Sequence, residues 1–296
     1  MPLTEAARGH LAMLAFSALV AGSFSLGGMA APFIDPAALN AVRFTLAAAA
    51  MWAIAMTTTG VPRSMFASPW RYLIVAALFA AYFVTMFEGL KTARPVSMSA
   101  VFTLNPALSA VFGYLLLAQV TTLWMAAAIV IGGAGALWVI FDGSPQALVA
   151  FDIGRGEAIF FWGVVGHALY APLLRRLSRG EPAAAQTAVI LTFGAVLLAL
   201  WSGPRLLATE WADLPAIVWW TIGYTAIAAT AVSFSLVRYA TFRLPSTKVM
   251  AYTYLTPSWV ILWEIAVGQG TPPEMVLPGV ALTAFALLML LREETA

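Results

Sequence analysis

Two polar-proline pairs interrupt long apolar runs of this chain. In "FTLNPALSAVFGYLLLAQ" (102–119) the pair is Asn105-Pro106, and in "TYLTPSWVILWEIAVGQ" (253–269) it is Thr256-Pro257. Proline removes one helix hydrogen bond and pushes on the carbonyl four residues back. The carbonyls of Phe102 and Thr253 are therefore expected to lose their partners, with Asn105 and Thr256 supplying local hydrogen bonds. Exposed carbonyls, amides and hydroxyls of this kind hold the polar ends of a small molecule; they do no covalent chemistry. The plain alternative is an inert kink. Repetition at two places favours a hinge or a cavity wall, because broken backbone in hydrocarbon persists only beside protein or a wet cavity.

Further polar and aromatic residues fall deep in apolar stretches and are candidates to line such a cavity: Tyr82, Trp162, His167, Tyr170, Thr230, Ser233, Tyr252 and Trp259. His167 stands out, since an ionisable group at mid-membrane is a functional-site candidate by default. A neutral histidine bonded to a neighbouring helix is an equal alternative. Three charges remain within or at the edge of apolar runs: Arg43, Glu88 and Glu264. Glu88 and Lys91 have the i,i+3 spacing of a surface pair. Glu264 is either a proton-coupling carboxylate or the partner of Arg43 in an outer gate or structural tie, and the tie is the favoured reading.

The elements that must position these residues follow from composition. Of 296 residues, 62% are hydrophobic and 9% charged, against about 25% charged in soluble domains. Such a chain belongs in a bilayer. A membrane-crossing helix needs about 20 apolar residues. The sequence divides into ten such segments, at 11–33, 37–57, 71–92, 96–118, 122–141, 155–175, 184–201, 214–241, 246–267 and 274–291. The first, longer than the roughly 7–15 apolar residues of a cleaved leader, is expected to be retained as a span. With both termini cytoplasmic, ten of the 15 Lys and Arg fall on the inner side, "RRLSRGE" (175–181) among them. Basic residues resist translocation, so this orientation is the expected one. Trp70, Tyr72, Trp211, Trp219 and Trp220 are expected as anchors at the membrane edges.

The chain also repeats itself. "ARPVSMSAVFTLNPALSAVFGYLLLAQ" (93–119) and "FRLPSTKVMAYTYLTPSWVILWEIAVGQ" (242–269) each open on a proline (Pro95, Pro245), carry the polar-proline pair, and close on Gln119 or Gln269. More loosely, "IDPAALNAVRF" (34–44) sits opposite "GEPAAAQTAVI" (180–190). The offset is five spans. An odd offset inverts the second copy, so residues 1–146 and 147–296 are expected as two inverted five-helix repeats about a central cavity, an arrangement common in secondary transporters.

"GSFSLGGMAAPFIDPAALNAVRFTLAA" (22–48) and "GLKTARPVSMSAVFTLNPALSAVFGYLLLAQ" (89–119) resemble the EamA-type domains of the drug/metabolite transporter superfamily. In overall layout and aromatic-rich spans the chain is most like the bacterial aromatic amino-acid exporters. The resemblance implies an all-α membrane protein of ten helices and export of small metabolites, here amino acids, across the inner (cytoplasmic) membrane. The chain departs from the pattern at Ala21, where the family often has Trp, and at Gln119 and Gln269, where it often has Glu. Aromatic walls suit zwitterions, since rings attract an ammonium, and broad specificity is expected. The alternative substrate is a hydrophobic cation, as in related multidrug exporters; it would want a midplane carboxylate, and none is visible.

Other classes fit less well. Two histidines and no cysteine leave no metal cluster, and no serine-hydrolase elbow or phosphate-binding glycine loop occurs. No cofactor, metal or nucleic acid is expected. A channel or scaffold is the remaining class; a channel would need rings of charge or carbonyl. The expected partners are the substrate and the lipid bilayer. The sequence does not set the oligomeric state, and a monomer is compatible with it.

Overall fold

The computed structural model describes residues 4–292 apart from Phe242 and Pro245, with backbone alone at Arg238, Thr241, Ser246, Thr247 and Met250. Pro245, expected to open the ninth span, therefore lies outside the described residues. The described residues form helices and turns without a strand.

In chain order the helices are α1 (Glu5–Ala30), α2 (Pro36–Thr58), α3 (Trp70–Gly89), α4 (Pro95–Phe102), α5 (Asn105–Leu117), α6 (Leu123–Ile140), α7 (Pro145–Ala150), α8 (Arg155–Leu177), α9 (Ala183–Ala208), α10 (Ala216–Ala226), α11 (Ser233–Thr241), α12 (Ser246–Ala251), α13 (Thr256–Ala266) and α14 (Leu277–Arg292). Among the described residues, nine helical stretches are long and apolar enough to cross a membrane; α4–α5 counts as one, and so does Ala216–Val237. The chain is a multi-pass membrane protein. The ninth expected span, 246–267, is not a continuous helix: it runs as α12, a 3-10 turn at Tyr252–Leu255 and α13. Boundaries elsewhere shift by a few residues. The largest change is in α9, which continues through Pro204 to Ala208 instead of ending near 201. The short α7 was not foreseen.

Local signals explain the starts. The Thr4 hydroxyl accepts from the Ala7 amide at 3.2 Å, and Asp35 accepts from Ala37 and Ala38 at 2.9 and 3.0 Å with Pro36 in the first turn. Both caps satisfy donors that a helix end leaves orphaned. The polar-proline pairs act the same way. Pro106 and Pro257 fall in the first turns of α5 and α13, where a missing N–H costs nothing. Each pair therefore restarts a helix rather than bending one. The Thr253 carbonyl is not left free, because the Thr256 hydroxyl donates to it at 2.6 Å.

Lipid tails are as apolar as leucine, so close packing and hydrogen bonds hold such helices together. Small residues supply the closeness. Ala37, Ala41, Ala47, Ala48 and Ala55 of α2 are buried in one cluster with Ala184, Ala185 and Ala188 of α9. Where α6 meets α14, a Cβ on Gly135 would come 2.6 Å from the Gly279 carbonyl, and the reverse holds for Gly279. The main pairings are α2 with α9, α3 with α8 and α6 with α14; α1 packs on α10, α11 and α13, and α8 on α3, α4 and α5. The outer face carries exposed Leu115, Leu123, Leu200 and Leu207, as a lipid-facing surface requires.

Candidate functional site

A cavity of about 160 Å³ lies at the centre of the bundle. Its walls come from α1 (Phe16, Ser23, Phe24), α2 (Arg43), α3 (Phe79, Tyr82, Phe83), the α4–α5 break (Phe102, Asn105), α8 (His167), the eighth span (Ala229, Ser233) and the 3-10 turn before α13 (Thr253). Ring edges and faces dominate. Tyr82 lies 4.4 Å from His167 and 4.7 Å from Phe83, and Phe79 4.9 Å from Phe83, all between centroids.

The breaks place the polar groups. Asn105, 2% exposed, stands at the start of α5, and its Oδ1 lies 3.3 Å from His167 Nδ1. In the eighth span a π-helical turn at Ile227–Val232 separates α10 from α11. Single π turns occur often at functional sites. Here the turn presents Thr230, whose hydroxyl donates to the Thr225 carbonyl at 2.8 Å and accepts from Arg43 Nη2 at 3.3 Å.

Arg43 is the group whose place differs most from expectation. It is 1% exposed, about a third of the way along α2, and lines the cavity instead of forming an outer tie. Its Nη1 donates to Asn40 Oδ1 at 3.4 Å, its guanidinium carbon lies 3.7 Å from the centre of the Phe83 ring, and its Nε has no partner among the described residues. The expected partner Glu264 lines an outer cleft of about 100 Å³ with Arg94, Asp142 and Gln269. Glu264 lies beside Ser25, but neither Glu264 Oε1 nor the Ser25 hydroxyl has a hydrogen bond of good geometry. Arg43 and Glu264 do not form an ion pair: their helices turn them to different chambers.

The other predicted residues divide. Tyr82, His167 and Ser233 line the cavity, and Thr230 holds Arg43 behind it. Tyr170 stacks on Phe79 at 5.1 Å and on His167 at 6.1 Å, one layer back. Three are displaced. Trp162 is 71% exposed and lines a separate cleft of about 250 Å³ with Leu104, Ile140 and Phe161. The Tyr252 hydroxyl meets His10 Nδ1 at 2.9 Å, outside the cavity wall. Trp259 donates to the Ser17 hydroxyl at 2.9 Å and acts as a tie between α13 and α1. Glu88 pairs with Lys91 at 2.8 Å, as the spacing suggested.

Two polar clusters were not foreseen. On α3, Arg71 Nη1 donates to the Leu177 carbonyl at 2.6 Å and Nη2 to Glu181 Oε1 at 2.8 Å; the Tyr72 hydroxyl donates to the same oxygen at 2.8 Å. Tyr72 is thus a buried tie, not an edge anchor. Burial pushes the Glu181 carboxyl up, but donors from the Arg179 amide, Tyr72 and Arg71 outweigh it and hold the group at about 2. The second cluster is Glu157, buried at the start of α8 and accepting from the Ser97 hydroxyl at 2.7 Å. Beside the broken helix a larger cleft, about 450 Å³, runs along Pro106, Ser109, Gln119 and Thr121 towards Ala251.

Comparison with known proteins gives the family. The model of the EamA-like transporter family matches twice, over residues 7–141 and 154–292. The Bacillus subtilis (strain 168) protein named uncharacterized transporter YyaM is 27% identical over 265 residues, covering 89% of this chain and 86% of its own length. A solved crystal structure covers 93% of this chain and 94% of its own with a TM-score of 0.66 at 19% identity, a likeness of fold alone. The protein is a transporter and not a membrane enzyme, and the chain belongs to the EamA-like transporter family.

Proposed function

We propose that this chain is a secondary transporter that exports amino acids, aromatic and other neutral ones, from the cytoplasm by alternating access. The observation that carries the reading is the central cavity, lined among the described residues by aromatic walls, a few neutral polar groups, one buried guanidinium and no carboxylate. Rings take an apolar side chain, Arg43 suits a carboxylate, and Asn105, Ser233 and His167 suit the remaining polar end. The volume is below the roughly 300–1,000 Å³ of sites for drug-sized ligands. A hydrophobic cation would meet Arg43 as a like charge without a counter-ion in low dielectric.

Alternating access rests on two inverted halves, 1–146 and 147–296, with α12–α13 as a tenth, broken membrane crossing. Three observations support the inverted repeat. The family model matches the chain twice. Each polar-proline pair restarts a helix at the equivalent place. The packing of spans 3 on 6 and 4 on 6 returns as spans 8 on 1 and 9 on 1, which is the same pattern moved by five. The charge distribution favours an inner membrane location with both termini cytoplasmic.

Uptake by proteoliposomes of labelled amino acids, with and without imposed pH and sodium gradients, tests the reading. Phenylalanine, tyrosine and leucine are expected to exchange across the membrane. If no amino acid moves under any gradient, the substrate assignment falls.

A further inference from the structure

The same protein contains two buried arginines solved in different ways. Arg71, 3% exposed, has a carboxylate at 2.8 Å and a backbone carbonyl at 2.6 Å. That is how a structural guanidinium is normally accommodated, since an unpaired charge in low dielectric is costly. Arg43, 1% exposed, has neither. Its two hydrogen bonds, at 3.4 and 3.3 Å, go to neutral side chains, and Nε lacks an acceptor among the described residues. No described ion pair involves it. Phe83 covers one face of the guanidinium at 3.7 Å, which leaves its edge for binding. The edge is the part that meets a carboxylate with two parallel hydrogen bonds.

We infer that Arg43 binds the carboxylate of the transported molecule, so that the substrate class is small monocarboxylates with an apolar or aromatic group, whether or not an ammonium is attached. This deepens the transport reading above and rests on it for the word transported. One guanidinium with no second cation among the described lining residues matches a single negative charge; a phosphate dianion would leave charge uncompensated. Tyr82, Phe102 and Phe79 offer the apolar part its surface. No acidic side chain lines the cavity among the described residues, so an ammonium is tolerated rather than required.

The test is equilibrium binding to the purified full chain in detergent, with L-phenylalanine, 3-phenylpropionate, phenylalanine amide and phenethylamine as probes. Phenylalanine and 3-phenylpropionate are expected to bind; the amide and the amine, which lack the carboxylate, are expected to be weaker by about 30-fold or more, the usual scale for losing one partner of a buried charge pair. Arg43→Gln is expected to weaken 3-phenylpropionate by the same factor. If that variant is not recovered folded, Arg43→Lys decides: it keeps the charge but loses the fork, and about tenfold weaker binding is expected. The inference is overturned if the amide or amine binds within about threefold of the carboxylates, if none of the four binds, or if 3-phenylpropionate affinity is unchanged in the Arg43 variant tested. Proteoliposome uptake separates the two readings. Bound 3-phenylpropionate with no phenylalanine uptake would remove amino acids as cargo and leave the role of Arg43 standing; phenylalanine uptake with unchanged affinity in the variant would do the reverse.

Discussion

Arg43 Nη2 donates to Thr230 Oγ1 at 3.3 Å, joining α2 to the π-helical turn of the eighth span across 187 positions of sequence. Thr230→Val keeps the shape and leaves a buried charged donor without its acceptor, a cost of about 1–3 kcal/mol. A lower melting temperature in detergent and slower uptake are expected, with Thr230→Ser close to wild type. Equal behaviour of the two variants would show that the contact does not position Arg43.

At the other buried arginine, removing one partner should be expensive. Glu181→Gln leaves Arg71 without its counter-charge, and loss of one member of a buried pair costs about 3–5 kcal/mol. The acid dependence has a definite sign. The Glu181 carboxyl is held down at about 2, against an ordinary 4.5. Its contribution is complete above pH 4.5 and is lost as pH falls through that interval towards 2. Melting scans should show wild type losing its advantage over Glu181→Gln across this window; a constant gap would refute the assignment.

Gly135 and Gly279 bring α6 and α14 together with each carbonyl where the other's side chain would be. Gly279→Val should cost about 1–3 kcal/mol or more, because backbone opposes the new methyls and has nowhere to move. Gly133, which has open space at its Cβ position, serves as the comparison: Gly133→Ala should leave the melting temperature unchanged.

The two restarted helices invite a paired test. Pro106→Ala and Pro257→Ala restore a backbone donor in the first turn of α5 and α13 and permit each helix to run on. Stability is expected to hold or rise while the uptake rate falls, as for a pivot made rigid. Full uptake in both variants would mark the breaks as inert. Trp162→Phe, outside the central cavity and 71% exposed, should change neither property.

Much of the fold was legible because it is local. Membrane-crossing length and the positions of the two polar-proline breaks are properties of a few consecutive residues; the caps at Thr4 and Asp35 and the restart of each helix came from the structure. The candidate site was legible in part. Tyr82, Asn105, His167 and Ser233 converge on the cavity, and polarity within an apolar run was a sufficient signal for them. Trp162 failed for a physical reason. In water an apolar stripe marks the buried face of a helix; in lipid both faces are apolar, so the residue pattern does not say which way a ring points.

By itself the sequence determined that this chain lives in a bilayer, where two of its spans break, and that two similar segments recur. Those follow from chain chemistry over one or two turns. Tertiary structure alone decided which charges meet. Opposite signs suggested Arg43 with Glu264, yet packing of α2 against the eighth span turns Arg43 to Thr230 and the cavity, while Glu264 faces the outer cleft. Arg71, unremarked in its span, found Glu181 from 110 positions away. Partner choice at that range depends on the rotation and depth of whole helices, which many contacts set together and no short stretch of sequence encodes.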